Sequence, residues 1–275
     1  MISSQEIESN DQSIILVGFP FDEYSSYLKG AAKAPQAIRD ALKSESTNSF
    51  SESGLDLSIP DVLKDFGDVV FSSDEYVSKI GTSIQGILRN DQIPIALGGD
   101  HSITYPIVKA FHKKYPLLNI LHFDAHPDLY DEFQGNRFSH ACPFARIMEE
   151  NLASRLIQLG IRTCTQQQRD QAKKFGVEMI EMKDWTQKFS IDFEGPIYIS
   201  FDLDVLDPAY APGVSHHEPG GATIRQVLNV IQQLNCKIVG ADVVELNPER
   251  DPFGITAMTA AKIVKEIAAK MIQNR

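Results

Sequence analysis

The chain has no apolar run of membrane-spanning length, no surplus of positive charge and no C-x-x-C pair among its 275 residues. Without such a run there is no candidate transmembrane helix. The 26 basic side chains are outnumbered by 37 acidic ones, a net charge of −11. That balance argues against nucleic acid and anionic membranes as partners, and suits a cationic substrate or metal ions. The three cysteines, Cys142, Cys164 and Cys236, are odd in number and follow no metal-binding spacing. They point to a reducing compartment without a disulfide framework. The opening Met1-Ile2-Ser3-Ser4-Gln5-Glu6 lacks the basic and apolar segments of a secretory signal, so a cytoplasmic location is expected. What remains is ordinary for a globular enzyme: 43% hydrophobic and 23% charged residues, enough for one large α/β domain.

Along the chain, short apolar runs alternate with helical patterns and no internal repeat is visible. Residues 1–12 are polar and expected to be disordered, leaving a single domain over 13–275. Strands are predicted at Ile14–Phe19, Val69–Phe71, Ile93–Leu97, Leu117–Leu121, Leu156–Ile161, Val177–Ile180, Ile197–Leu203 and Cys236–Val244. Helices are predicted from Pro35, over Asp74–Arg89, through Val108, over Phe144–Leu156, Gln166–Phe175 and Ala222–Leu234, and over Thr259–Gln273 with one apolar and one Lys-bearing side. Ser102 is the expected cap of the helix through Val108. The serine-rich segment 43–54 reads as a surface loop. Strand–helix alternation of this kind implies a mainly parallel sheet covered on both faces, a three-layer α/β/α sandwich. Ligands collect at the carboxyl ends of the strands in such sheets.

Chemistry-bearing residues concentrate at those ends. His101 follows Ile93–Leu97 in Gly98-Gly99-Asp100-His101-Ser102. Asp124, His126 and Asp128 occupy alternate positions after Leu117–Leu121, and an extended chain would turn all three to one side. Asp202 and Asp204 repeat the alternation in Ser200-Phe201-Asp202-Leu203-Asp204. Two carboxylates on one side of a strand repel each other unless a positive group lies between them. Together the six offer two imidazoles, four carboxylates and no thiolate. Two divalent ions sharing bridging carboxylates balance that charge better than one; the donor set favours Mn²⁺, with Fe²⁺, Co²⁺, Ni²⁺ or Zn²⁺ also accommodated. Ions about 3.5–4 Å apart can hold and acidify a bridging water, which is chemistry for hydrolysis.

These three segments resemble, in order and spacing, the signature motifs of the ureohydrolases, the family of arginases, agmatinases, guanidinobutyrases and formimidoylglutamases. The resemblance covers nearly the whole chain from Ile14. It implies an arginase-like three-layer fold and two Mn²⁺ per subunit. His101 and Asp128 would serve one ion, His126 and Asp204 the other, and Asp124 and Asp202 both. Glu245 is similar to the glutamate that pairs with the substrate guanidinium, and His140 to the histidine that hands a proton to the leaving amine, with His216 and His217 as rivals. The loop Val214-Ser215-His216-His217-Glu218-Pro219-Gly220-Gly221 departs from the common family pattern. Asn136, Arg137, Ser139 and Glu218 are the candidate substrate contacts.

The segment Asp131-Glu132-Phe133 through Arg137-Phe138-Ser139-His140 is nearer to agmatinases. The first expectation is therefore cleavage of a small cationic guanidino substrate, agmatine, to putrescine and urea. Arginine, guanidinobutyrate or formiminoglutamate are the alternative substrates. A two-metal phosphoesterase would need basic groups that the motifs, Arg137 apart, do not offer. A catalytically silent relative has no support, because all six ligand-type residues are present. The resemblance also implies a homo-oligomer, a trimer or hexamer.

Overall fold

The computed structural model describes residues 13–185 and 191–275. The expectation for residues 1–12 lies outside them. Eight strands form one sheet: β1 (Ile14–Gly18), β2 (Leu63–Asp68), β3 (Ile93–Leu97), β4 (Asn119–Phe123), β5 (Arg155–Ile161), β6 (Glu178–Glu181), β7 (Ile197–Asp202) and β8 (Ile238–Val244). Their order is β2-β1-β3-β8-β7-β4-β5-β6, and every pairing is parallel. The all-parallel arrangement follows from the connections, since a parallel neighbour needs a crossover and the helices supply it.

Those helices are α1 (Ala34–Leu42), α2 (Tyr76–Arg89), α3 (Thr104–His112), α4 (Pro143–Glu149), α5 (Gln166–Phe175), α6 (Ile224–Gln233) and α7 (Ile255–Gln273). Successive strand residues feed opposite layers: Ile14 and Leu16 pack with α1, α6 and α7, whereas Ile15 and Val17 pack with α2 and α3. Burial on both faces explains why the central strands read as continuous apolar runs. No helix among the described residues is long and apolar enough to cross a membrane.

Four expectations need correction. The second strand is Leu63–Asp68, not Val69–Phe71. It lies at the sheet edge, where half-buried Lys64 and the Asp65 and Asp68 carboxylates, paired with buried Arg39, break the apolar run. α4 stops at Glu149, because Asn151 adopts a left-handed backbone (φ 53°) and Leu156 already belongs to β5. α7 begins at Ile255 and is buried nearly all round, Lys265 and Glu266 included. Ser102 does not cap α3: it lies inside a short 3-10 turn, His101–Ile103, whose N-cap Asp100 accepts the Ser102 N–H (3.1 Å).

Candidate metal centre and substrate cavity

The four central strands, in the order β3-β8-β7-β4, deliver the motifs to one point. His101 follows β3, Glu245 follows β8, Asp202 ends β7 and Asp124 follows β4. Gly99 makes the first of these possible, since a Cβ there would lie 1.7 Å from the Phe21 carbonyl oxygen. The acids converge by turning, not by strand alternation. β4 ends at Phe123, before the motif, and Asp128 is reached through a left-handed backbone (φ 49°). Asp204 lies in a 3-10 turn after β7, with its N–H donating to Asp202 Oδ1 (2.8 Å).

His101 Nδ1 is buried and has no hydrogen-bond partner, yet three carboxylate oxygens surround it: Asp128 at 3.1 Å, Asp124 Oδ2 at 3.2 Å and Asp202 at 3.2 Å. On the other side of Asp124, His126 Nδ1 lies 3.4 Å from Oδ1 and 3.0 Å from Asp204 Oδ2. Asp124 thus turns one oxygen to each imidazole. Burial, then Asp204 and Asp124, push the Asp202 carboxyl well above its ordinary range, and burial raises Asp204 as well. Acids so placed call for a cation between them. An unpartnered imidazole nitrogen ringed by carboxylate oxygens fits a divalent metal.

Buried supports hold these groups. His101 Nε2 lies 2.9 Å from Ser200 Oγ, whose hydroxyl donates to Asp242 (2.8 Å). Asp242 also accepts from Thr104 and Tyr198. The chain keeps the Nε2 proton engaged and Nδ1 bare. His122 was not singled out from the sequence. Fully buried, it lies 2.7 Å from Asp124 Oδ2 through Nε2, while its Nδ1 lies 3.0 Å from Gln158 Nε2. The amide must donate there, so Nε2 carries the proton and donates to Asp124. Burial lowers the His122 pKa, consistent with a neutral ring. The available signal was a histidine within the otherwise apolar Ile120-Leu121-His122-Phe123. Asp242, an acid within the apolar β8, gave the same kind of signal.

A cavity of about 260 Å³ opens beside this cluster, lined by His126, Asp128, Asp202 and Asp204 on one side, and by Ser26, His140, His216 and Glu245 among its other residues. Glu245 has a left-handed backbone (φ 65°) and is buried; Oε1 accepts from the His101 N–H (2.9 Å) and from His140 Nδ1 (2.8 Å). Oε2 receives no hydrogen bond from the described residues. Burial works against ionisation of Glu245, but the His140 charge outweighs it and the pKa is lowered. Burial likewise lowers the His140 pKa, and Glu245 reverses this to raise it to about 9. The Ser26 backbone N–H donates to His140 Nε2 (3.1 Å), a contact the neutral ring makes. The imidazole is therefore held where it can change protonation state. Ser26 itself gave no sign in the sequence.

Glu218 lines the cavity, 3.7 Å from His126 Nε2, and His216 lies with its ring 5.3 Å from that of His140. His217 faces outward, bonded to the Pro212 carbonyl (2.7 Å). The structure does not bring Asn136, Arg137 or Ser139 into the cavity. Arg137 is exposed and paired with Asp131 and Glu149 (both 2.8 Å). Asn136 turns back on the Phe138 N–H, and the Ser139 hydroxyl meets the Tyr24 carbonyl. Among the described residues, no lysine or arginine lines the cavity.

Comparison with known proteins gives one answer. The sequence pattern described as the arginase family matches residues 12–269. Arginase 1, mitochondrial, of Arabidopsis thaliana is 48% identical, covering 94% of this chain and 81% of that protein. Agmatinase of Bacillus cereus is 32% identical, covering 94% and 91%. The solved arginase from Medicago truncatula superposes with a TM-score of 0.89 at 45% identity, covering 94% of this chain and 87% of that one.

Proposed function

Since the chain belongs to the arginase family, a family of binuclear-metal hydrolases acting on guanidino C–N bonds, we propose that it cleaves an amine-bearing guanidino compound to urea and the corresponding amine. The observation that carries the reading is the double cluster about Asp124, with one carboxylate oxygen toward each imidazole. His101, Asp128, Asp124 and Asp202 would hold one ion and His126, Asp204 and Asp124 the other, with Asp202, which lies within the field of Asp204 as well as Asp124, as a second shared carboxylate. Mn²⁺ suits this oxygen-rich set. When bound, the ion pair supplies the Lewis acidity that makes water a nucleophile at neutral pH.

The remaining steps belong to side chains. Glu245 Oε2, open to the cavity, accepts the guanidinium N–H groups and turns its carbon toward the cluster. His140 receives a proton at Nε2 and gives it to the leaving amine, which departs poorly as an amide anion. The hydroxyl and N–H of Ser26 hold that nitrogen until substrate arrives. Glu218, on the cavity wall beside His126, would meet an ammonium at the substrate's other end, a partner that a substrate bearing only a carboxylate there lacks.

Two substrates satisfy that distal contact. The 45–48% identity to proteins named arginases, against 32% to one named agmatinase, supports L-arginine first. The absence of a lysine or arginine among the described residues lining the cavity supports agmatine, the first expectation from the sequence. A panel of L-arginine, agmatine and 4-guanidinobutyrate, assayed for urea with the Mn²⁺-loaded protein, is the test. We expect turnover of arginine or agmatine to exceed that of guanidinobutyrate; no urea from any guanidino compound would refute the hydrolase. Glu218→Gln is expected to raise KM for the amine-bearing substrates by about fivefold, a rim charge being worth roughly 1 kcal/mol, with guanidinobutyrate unaffected or improved.

The reading also gives His122 a task. His122→Leu removes the donor to Asp124 Oδ2 and should weaken metal affinity by about 10- to 100-fold, measured by competition with a chelator. Equal affinity would mean that Asp124 is oriented without it. The three free cysteines fit a reducing compartment, and an oligomer is consistent with the family.

A further inference from the structure

Arg162, which no motif includes, joins two walls of the cavity. It stands just past the carboxyl end of β5, and all its hydrogen bonds go to main-chain carbonyls. Nε and Nη2 donate to Glu218 O (2.8 and 2.6 Å), and Nη2 also reaches Asp204 O (2.6 Å) and Leu206 O (3.3 Å). Nη1 donates to Val205 O (3.2 Å) and Gly160 O (3.4 Å). The planar guanidinium spans strand end, metal-side turn and distal loop at once, which a single ammonium cannot do. A second tie runs alongside: Asp207 Oδ2 accepts the Gly220 and Gly221 N–H groups (2.7 and 3.1 Å). Gly221 is the residue that admits this approach. A Cβ there would lie 2.5 Å from Asp207 N and 2.7 Å from Arg162 Nη2.

The joined segments have different tasks. The turn after β7 carries Asp204, whereas the loop 213–221 has no regular structure and carries His216 and Glu218 into the cavity. Arg162 grips this loop at the Glu218 carbonyl itself. The position of Glu218 relative to the turn carrying Asp204 is therefore tied by Arg162, with Asp207 as the second anchor of the same loop.

We propose that Arg162 is a positioning residue that fixes Glu218, and the loop around it, against the turn carrying Asp204, so that the placed Glu218 carboxylate selects substrates with an amine. The inference rests on the hydrolase reading above. A residue that acted only on folding would affect all substrates alike; one that sets Glu218 affects those whose far end reaches it.

Arg162→Lys and, separately, Asp207→Ala test this, each compared with wild type by thermal unfolding, bound metal per chain, and kcat and KM for urea release. We expect both variants to keep their metal. KM for arginine or agmatine should rise about tenfold or more, exceeding any fall in kcat, while KM for guanidinobutyrate changes less than threefold. Arg162→Lys should retain more of the wild-type KM than Arg162→Ala. Should neither position-162 variant fold, Asp207→Ala carries the same comparison. Unchanged KM for the amine-bearing substrates, or an equal change for all three compounds, would overturn the role of Arg162. Wild-type protein inert toward every guanidino compound would instead overturn the reading beneath it.

Discussion

Asp124→Asn is expected to lose bound metal and at least about 10³-fold in turnover, the equivalent of roughly 4 kcal/mol of lost Lewis-acid and charge stabilisation. The reason is geometric. Asp124 presents Oδ2 to His101 Nδ1 at 3.2 Å and Oδ1 to His126 Nδ1 at 3.4 Å, so one side chain serves both halves of the cluster. An amide keeps the shape, but it removes a negative charge and replaces one acceptor by a donor. Either orientation of that amide leaves one ion facing N–H groups. The neighbours cannot replace it: Asp128 reaches only the His101 side, and Asp204 only the His126 side. Elemental analysis after Mn²⁺ loading and desalting should give fewer than two ions per chain. Two retained ions would refute the bridging role. Thermal unfolding with and without Mn²⁺ gives a second measurement, because an ion that binds only the folded chain raises its Tm. Wild type should gain more than the variant.

The second large effect is expected at Glu245. Glu245→Gln should keep both ions but lower kcat/KM by roughly 30- to 5000-fold, about 2–5 kcal/mol for removing the charge from a buried, hydrogen-bonded pair. The carboxylate faces three groups: the His101 N–H, the His140 imidazole and the open cavity. In the variant the first contact survives through the amide oxygen, so the loop carrying His101 should stay in place. The loss falls on the guanidinium and on His140. That imidazole is lowered by burial and raised to about 9, mainly by Glu245 with Asp100 and Asp128 helping, so deleting the Glu245 charge should lower its pKa. The sign follows directly. A reaction that needs protonated His140 loses it as pH rises through the pKa, so the alkaline limb of the kcat profile should move to lower pH in Glu245→Gln. Unchanged kcat/KM would place the guanidinium elsewhere; an unmoved alkaline limb would uncouple His140 from Glu245.

How much of this was legible in the linear chain differs from residue to residue. β1, β3, β7 and β8 were readable because both of their faces are buried, and an unbroken apolar run has few other uses. β2 was not, because an edge strand with Lys64, Asp65 and Asp68 carries no such run. The six acids and imidazoles of the double cluster were legible because they stand in short motifs at strand ends. Strand alternation does not cause their convergence: turns, with Asp128 in a left-handed conformation, bring them together as the strands end. His122, Gln158, Ser200 and Asp242 were hidden in strands, and the partners of their side chains are 31 to 138 residues away for all but one contact.

The substrate side was the least readable. Arg137 has the right chemistry for a carboxylate, yet Asp131 and Glu149 hold it at the surface. Arg162 has the same chemistry and no motif, and it organises the cavity wall through carbonyl oxygens that every residue possesses. Side-chain type and spacing determined the fold class, the family and which acids and imidazoles cluster, because strand burial and the repulsion of close carboxylates restrict which residues can occupy those positions. Only the tertiary structure decided which groups face the cavity, since that depends on the main-chain path of loops 130–142 and 213–221. Their hydrogen bonds to distant carbonyls leave no pattern in the order of amino acids.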